Sequence, residues 1–342
     1  MSLLKRENGI GITKGSIWGT SVEPGTGDGF YVKSHTPATN MREVFKNDTE
    51  FDHPVPTIQT LGNYPAPEGT LVFPFYYEGL EKIFATMFGI YNGVDNLGII
   101  THNFKLNPVL SGLFHTIAYD EGDEVKSIRS AVMNTCKIAV DETLTLEVGY
   151  IGDKVQQEAG FTTPLALTYV STGVNLFQLL HTDVYINDQT GADFVDGDKV
   201  CVNNIEININ RGFVPQPHCA GNPYIEEPND INPPMFDVIL NFPKKDDRNK
   251  AFFANFETNT EKKMKIEMTG ALIGGTDYYK FTLNFPRVVL RTAPVYDQES
   301  PIPTTIEFDY LEAATAPTGM TEIYPYASLI NEVPVLTGYP AS

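Results

Sequence analysis

Cysteine, tryptophan and basic residues are scarce in this chain, and each scarcity narrows what it can be. Cys136, Cys201 and Cys219 are the 3 cysteines among 342 residues, far apart and with no C-x-x-C pair. That spacing argues against a disulfide framework or a zinc site. Cys136 and Cys201 lie in or beside strand-like segments and read as small buried hydrophobes. Lysine and arginine number 24 against 43 aspartates and glutamates, a formal net charge of -19. Such a charge repels a phosphate backbone, which disfavours tight DNA or RNA binding but leaves loose passage of DNA past an acidic wall open. No stretch approaches the ~20 apolar residues of a membrane span. The start, Met1 to Arg6, runs into glycine and charge and not into a signal-peptide core, so the chain is expected to stay in the compartment where it is made.

Chemistry-bearing patterns are missing too. His35, His53, His102, His115, His181 and His218 stand singly, none at the i, i+4 spacing of a helical metal pair, and read as surface or capping residues. In Gly9-Ile10-Gly11-Ile12-Thr13-Lys14-Gly15-Ser16 the lysine precedes the glycine, the wrong order for a phosphate loop. There is no G-x-S-x-G elbow, and the cluster Asp183, Asp188, Asp193, Asp196 and Asp198 lacks the glycine and closing glutamate of a calcium loop, so it reads as a solvated acidic loop. The expectation is a protein that is not an enzyme, with no catalytic, cofactor or metal residues.

What is present is period-two alternation. Leu144, Leu146, Val148 and Tyr150 alternate with Thr143, Thr145, Glu147 and Gly149, and Ile205, Ile207 and Ile209 with Glu206, Asn208 and Asn210. The code returns in Met264-Ile266-Met268, Phe281-Leu283-Phe285 and Ile306-Phe308-Tyr310, and more loosely in 117–119 and 125–140. Alternate side chains of a strand face opposite ways, so each segment buries one row and wets the other. The pattern predicts an antiparallel sheet protein with half of its sheet surface polar. A hydrophobic fraction of 42% makes it globular, and the length suits two domains better than one.

Three regions follow. Residues 1–77 form an N-terminal arm and long loop region, with the Gly25-Thr26-Gly27-Asp28-Gly29 tip and the extended Pro54-Val55-Pro56. Residues 78–165 form a first β block that opens with a helix over Glu78–Phe88. Its Leu80, Ile83, Phe84, Met87 and Phe88 make an i, i+3, i+4, i+7, i+8 core stripe, and Gly89 is placed to end it. Residues 166–342 form a second β block with a Pro-rich insertion at 215–234, read as a loop because proline cannot donate to a central ladder, a short helix over Asp246 to Phe256, and a C-terminal extension. A faint echo, Gly122-Asp123-Glu124-Val125 against Gly197-Asp198-Lys199-Val200, links the blocks, although the helix precedes the echo in one and follows it in the other. The blocks are tandem domains or one elaborated domain.

In order, these parts resemble a tail tube (major tail) protein of long-tailed bacteriophages. The resemblance is carried by layout. It rests on the entry Gly15-Ser16-Ile17-Trp18-Gly19-Thr20, the helix segment from Glu78 to Gly89, the strand introduced at Val125-Lys126-Ser127-Ile128, and the closing pair Phe285 to Leu290 and Ile306 to Ala313. The insertion and the length depart from a minimal tube domain. The resemblance implies a mainly β fold: an antiparallel β-sandwich or partial barrel with one or two flanking helices and long loops. It implies a virion protein, assembled in the host cytoplasm into rings with six-fold, or three-fold with pseudo-six-fold, symmetry, which stack into the conduit for DNA during ejection. The partners implied are other copies of the chain, other tail proteins at the tube ends and transiently passing DNA, with no membrane and no cofactor.

Unpaired sheet edges are templates for an identical neighbour, and a closed ring removes them. On this reading Glu206, Glu267, Glu307 and Asp309 are candidates for an acidic lumen, because each opposes an apolar residue aimed at the core. Within the early loop, 22–67, the tip Thr26, Gly27, Asp28 and Gly29 is the candidate inter-ring contact, expected to be ordered only in the assembly. The alternative is a carbohydrate- or receptor-binding β-sandwich such as a decoration protein or adhesin, supported by 17 tyrosines and weakened by the single Trp18; a β-fold hydrolase ranks third.

Overall fold

The computed structural model describes residues 9–36, 44–46, 59–120, 124–140, 143–162, 167, 175–216, 221–243, 255–292 and 304–341. The chain begins with β1 (Gly9–Lys14), β2 (Gly29–Tyr31), β3 (Ser34–Thr36), β4 (Val44–Lys46), β5 (Gln59–Leu61) and β6 (Glu68–Pro74), followed by the helix α1 (Glu81–Phe88). The first block continues with β7 (Gly89–Asn96), β8 (Ile99–Leu106), β9 (His115–Asp120), β10 (Val125–Val140), β11 (Leu144–Ile151) and β12 (Lys154–Gln157). The second holds β13 (Thr182–Asp188), β14 (Lys199–Val200), β15 (Asn204–Asn210), β16 (Phe213–Gln216), β17 (Glu226–Asp230) and β18 (Met235–Phe242). It closes with β19 (Lys262–Gly274), β20 (Asp277–Leu290), β21 (Thr304–Tyr310) and β22 (Tyr326–Asn331).

The fold is mainly β, and every pairing among the described residues is antiparallel. β10 is the spine. Its first half lies between β9 and β12 and its second half between β11 and β15, with a register break between Ile128 and Ala131 where Ser130 takes a φ of 51°. From the spine one arm runs β9–β1–β2 and another β11–β6–β3. A third runs β15–β18–β21–β20, and β20 leads both to β22–β8–β7 and to β19–β13–β14. Among the described residues these pairings branch and never return on themselves, so the sheet they form is open and not a closed barrel.

One core runs from Ile10 to Leu329 and joins the two blocks. β10 pairs with β15, β8 pairs with β22, and Phe84 of α1 stacks on Phe281 of β20 at 4.8 Å. The blocks 78–165 and 166–342 therefore share one sheet and one core. They also share an order of elements that the sequence echo obscures: α1 then β7–β8 in the first, directly preceded by β6, and β18, helical residues 255–257, then β19–β20 in the second. The rest of the helix expected over Asp246–Phe256 lies outside the described residues, as do Pro54-Val55-Pro56 and Gly122-Asp123.

The helix begins at Glu81 and not at Glu78, because Glu78 and Gly79 form the turn that precedes it; Gly89, at φ 91°, ends it by donating its N–H to the Ala85 carbonyl. Leu80, Ile83, Phe84, Met87 and Phe88 are each at most 1% exposed. The helix does not merely flank the sheet. Ala85, Thr86 and Glu81 on its other side are also buried, as expected of a helix enclosed all round. The curled sheet surrounds it: Phe84 meets Phe75, Phe104 and Phe281, and Phe88 meets Phe104 and Phe236.

Several expectations need correction. Cys136 is buried, its thiol pushed up to about 12 by desolvation, but Cys201 is exposed in the turn between β14 and β15, past the end of the ladder. The insertion 215–234 is not all loop: β16 and β17 pair as a separate ribbon, with the register skip at Pro215 where proline has no N–H to give. His102 and His115 are fully buried and not surface residues. The tip at Thr26–Gly29 is tied to its own chain: Asp28 N–H donates to Gly25 O at 3.1 Å, Ile12 N–H to Asp28 O at 2.8 Å, and Lys82 Nζ of α1 to Gly27 O at 2.6 Å and Asp28 Oδ1 at 2.5 Å. Glycine-rich composition suggested a tip with nothing to hold it; the Lys82 ammonium supplies the hold. Of the longer loop 22–67, residues 37–43 and 47–58 lie outside the described residues.

Candidate functional site

The outward side of β15, β18 and β21 is a mostly polar surface, interrupted by Ile239 of β18. Alternation sends Ile205, Ile207, Ile209, Phe236, Val238, Leu240, Ile306 and Phe308 inward and leaves Glu206, Asn208, Asp237, Asn241, Glu307 and Asp309 outward. Register then decides neighbours: Glu206 and Glu307 both face Ile239, while Asp309 faces Asp237, which faces Asn208. Three of the four expected acids thus share one patch. Glu267 stands apart on β19, facing Asp183 of β13 and Thr282 of β20, also on the side away from the core.

Each acid has a basic neighbour, so the surface is a lattice of both signs. Lys137 Nζ lies 2.9 Å from Glu206 Oε1, and Asn208 donates to the same oxygen at 3.0 Å. Desolvation pushes the Glu206 carboxyl up, but these two donors outweigh it and leave it below its ordinary value. Glu267 lies 3.4 Å from Lys280 and 3.8 Å from Lys265. Arg291 reaches Asp237 at 2.5 Å, Glu307 at 4.0 Å, and Asp309. Burial and the charge of Asp309 hold the Asp237 carboxyl above its usual range, against the pull of Arg291. Asp237 was missed from sequence because Ile239 interrupts the polar row of Met235-Phe236-Asp237-Val238-Ile239-Leu240-Asn241-Phe242.

The acidic loop does more than solvate itself. Lys263, fully buried, donates to the carbonyls of Gly191 at 3.1 Å, Ala192 at 2.8 Å and Thr318 at 2.7 Å. Desolvation lowers its ammonium below the ordinary lysine value, and Asp193 and Asp198 push the other way. Those aspartates are countercharge for a buried lysine. Asp188 pairs Lys262 and Asp183 pairs Lys199.

A second polar group sits inside the core and was not foreseen. Glu81 Oε2 accepts from Gly79 N–H at 2.9 Å and from Asn331 Nδ2 at 3.4 Å, while Oε1 has no partner. Burial pushes this carboxyl up to about 7. His102 bridges Tyr91 Oη at 2.8 Å and Asn331 Oδ1 at 2.9 Å. His115 lies 3.3 Å from Thr86 Oγ1 and 3.2 Å from Tyr339 Oη, and burial, with Lys14 and Lys82 nearby, lowers its imidazole to about 3.

Among the described residues, no group of three or more His, Cys, Asp or Glu side chains is placed to hold a metal ion, and no helix is long and apolar enough to cross a membrane. The arrangement offers a broad, mostly polar sheet face and several terminal strands. No protein-family model matches the chain, and no curated protein matches it in sequence.

Proposed function

We propose that this chain is a structural, non-enzymatic building block of a bacteriophage tail tube, self-assembling into rings that stack into a conduit for DNA. The observation that carries this reading is the open sheet. Among the described residues β2, β3, β7, β12 and β14 each pair with a single strand, so the sheet ends in terminal strands at which another copy can add, the edge of β7 being lined by the chain's own C-terminal run. The test is sedimentation with negative-stain imaging of the purified protein at micromolar concentration. Rings or tubules are expected; a strict monomer across concentration and salt removes the reading.

DNA passage is the second step of the proposal. A face on which Glu206, Asp237, Glu307 and Asp309 outnumber Lys137 and Arg291 presents no attractive field to a polyanion, which suits a lumen that must not retain DNA. Glu206→Lys would break that balance by setting a second ammonium beside Lys137. Ring formation should survive, since half-exposed pairs contribute roughly 0–1 kcal/mol, and phage carrying the change should eject DNA more slowly, with a stronger salt dependence. Unchanged ejection and salt dependence at this position, and at Glu267, Glu307 and Asp309 in turn, would show that the acids serve solubility alone.

The carbohydrate- or receptor-binding alternative is favoured by one observation: Tyr64 and Tyr224 stack at 5.0 Å and 14°, with Lys154 Nζ 4.8 Å and Arg129 5.7 Å from the Tyr224 ring. Those ring faces are spent on one another and on cations, which leaves less platform for a sugar. A glycan screen should be silent if the tube reading is right.

A further inference from the structure

Two hairpins leave the same end of one part of the sheet. Across β7, β8, β22, β20 and β19 the register sets Val94, Thr101, Ile330, Lys280 and Thr269 in a single row on the face away from the core. Beyond that row β22 stops at Asn331, while β7–β8 and β19–β20 run on to their turns, about 10 Å apart with one strand's place between them. One row toward the middle of the sheet the same face is wholly polar, with Asn92, Asn103, Ser328, Thr282 and Glu267 side by side. At the turns it becomes apolar: Val94, Leu97, Leu272 and Tyr278 are all exposed, and Leu272 and Tyr278 are direct cross-strand partners.

The β7–β8 turn is built at a cost to the fold. Asn96 pairs with Ile99, so Leu97 and Gly98 make a two-residue turn with φ of 57° and 91°. Such a turn favours asparagine at its first position, whereas leucine strains the backbone there and sets a whole apolar side chain in water. Single exposed apolar residues are ordinary, but apolar side chains gathered on two projecting turns mark a contact surface.

A second apolar surface lies at the other end of the β7–β8 hairpin. β8 ends at Leu106, and Val109 just beyond it is exposed. Leu110 N–H donates to Asp230 Oδ2 at 2.8 Å, which brings the exposed Ile231 alongside. Arg211 donates to Asn107 O at 2.8 Å, and its neighbour Asn210 pairs with the exposed Met235. The strands of the hairpin are 8 residues long, which sets its two ends about 25 Å apart. Together the two surfaces hold seven of the fifteen large hydrophobics exposed among the described residues.

We propose that the turns at Leu97 and at Leu272–Tyr278 of one copy dock on the Val109, Ile231 and Met235 surface of a second copy, head to tail along the β7–β8 hairpin. Two different patches at opposite ends of one element make a heterologous contact, which repeats into an open stack instead of closing into a pair. A membrane is disfavoured as the occupant, because Asp95 and Asp277 stand exposed beside the turns and repel anionic headgroups. That the stack follows the axis of a tube rests on the tube reading; the contact itself does not.

The test is trapping of the contact between copies with a bismaleimide at micromolar concentration, in a Cys201→Ser, Cys219→Ser background that keeps the buried Cys136. Leu97→Cys protein mixed with Val109→Cys protein should give at least about ten-fold more cross-linked dimer than either protein alone, a ratio equivalent to about 1.4 kcal/mol of preference for the mixed contact. Equal yields overturn the proposal, as does a Leu97→Cys protein that cross-links best to itself, which would mean turn-to-turn pairing. Leu97→Asn supplies a second readout. Asparagine suits the turn, so the unfolding midpoint should hold or rise while end-to-end association, followed by sedimentation, weakens by at least about ten-fold. Unchanged association overturns the proposal, and so does wild-type protein that binds phosphatidylcholine–phosphatidylserine vesicles through these turns in place of a second copy. Rings of Leu97→Asn that stack normally sink this contact and spare the tube, whereas trapped head-to-tail chains without rings support the contact and sink the tube.

Discussion

Phe84→Ala should lower the unfolding free energy by about 3–5 kcal/mol, the range for truncating a large aromatic in a core that cannot collapse into the space. Phe84 is 1% exposed and is stacked on Phe281 at 4.8 Å, with Phe104 at 5.8 Å and Phe75 at 6.0 Å. Its neighbours belong to different arms of the sheet, so no single loop can shift inward to fill the cavity. Against a total stability of roughly 5–15 kcal/mol for a folded domain, this is a large fraction. Leu97→Ala, at a fully exposed hairpin tip, is the matched control and should change stability by less than about 0.5 kcal/mol. Because Phe84 ties the first block to β20 of the second, denaturant unfolding should remain one transition that shifts as a whole. Two transitions, only one of them moved, would show that the blocks hold separate cores.

How much of this was legible beforehand depends on whether the deciding neighbour was local. The strands were, because period two is written into each segment: β10 occupies 125–140 as its pattern predicts, and β11, β15, β20 and β21 contain their predicted runs. β18 was passed over because Ile239 breaks its polar row, yet β18 is the strand that joins β15 to β21. The outward acids were readable one strand at a time. Their pairing was not, since Asp237 and Asp309 meet only through the register of strands some seventy residues apart. The buried polar groups were least legible. Glu81 opens an amphipathic helix, where an acid ordinarily faces water near the positive end of the helix dipole. It is enclosed here because Asn331, 250 positions away, arrives with the C-terminal run. Lys263 likewise owes its burial to carbonyls of two distant loops.

Stability should depend on pH through two buried groups of opposite sign. His115 is neutral in the fold, lowered to about 3, and takes up a proton on unfolding below its ordinary value of 6.5; its contribution is present above that value and is lost as pH falls. Glu81 is raised to about 7 from an ordinary 4.5; the stability it contributes is full below 4.5 and is lost as pH rises through about 7. Between about 4.5 and 6.5 each group changes the unfolding free energy by about 1.4 kcal/mol per pH unit, and the two slopes cancel. His35, lowered to about 4 by burial, and His102, lowered by burial, lean the profile toward loss in acid, while Glu78 leans it back. The variants separate the terms more cleanly than the absolute profile does. Glu81→Gln should steepen the fall of stability toward acid by about 1.4 kcal/mol per unit in this window, and His115→Gln should flatten it by the same amount. Urea titrations at half-unit intervals would measure both slopes. If the two variants run parallel to the wild type, neither group changes its protonation on unfolding, and the buried carboxyl and imidazole would have to reach water in the folded protein.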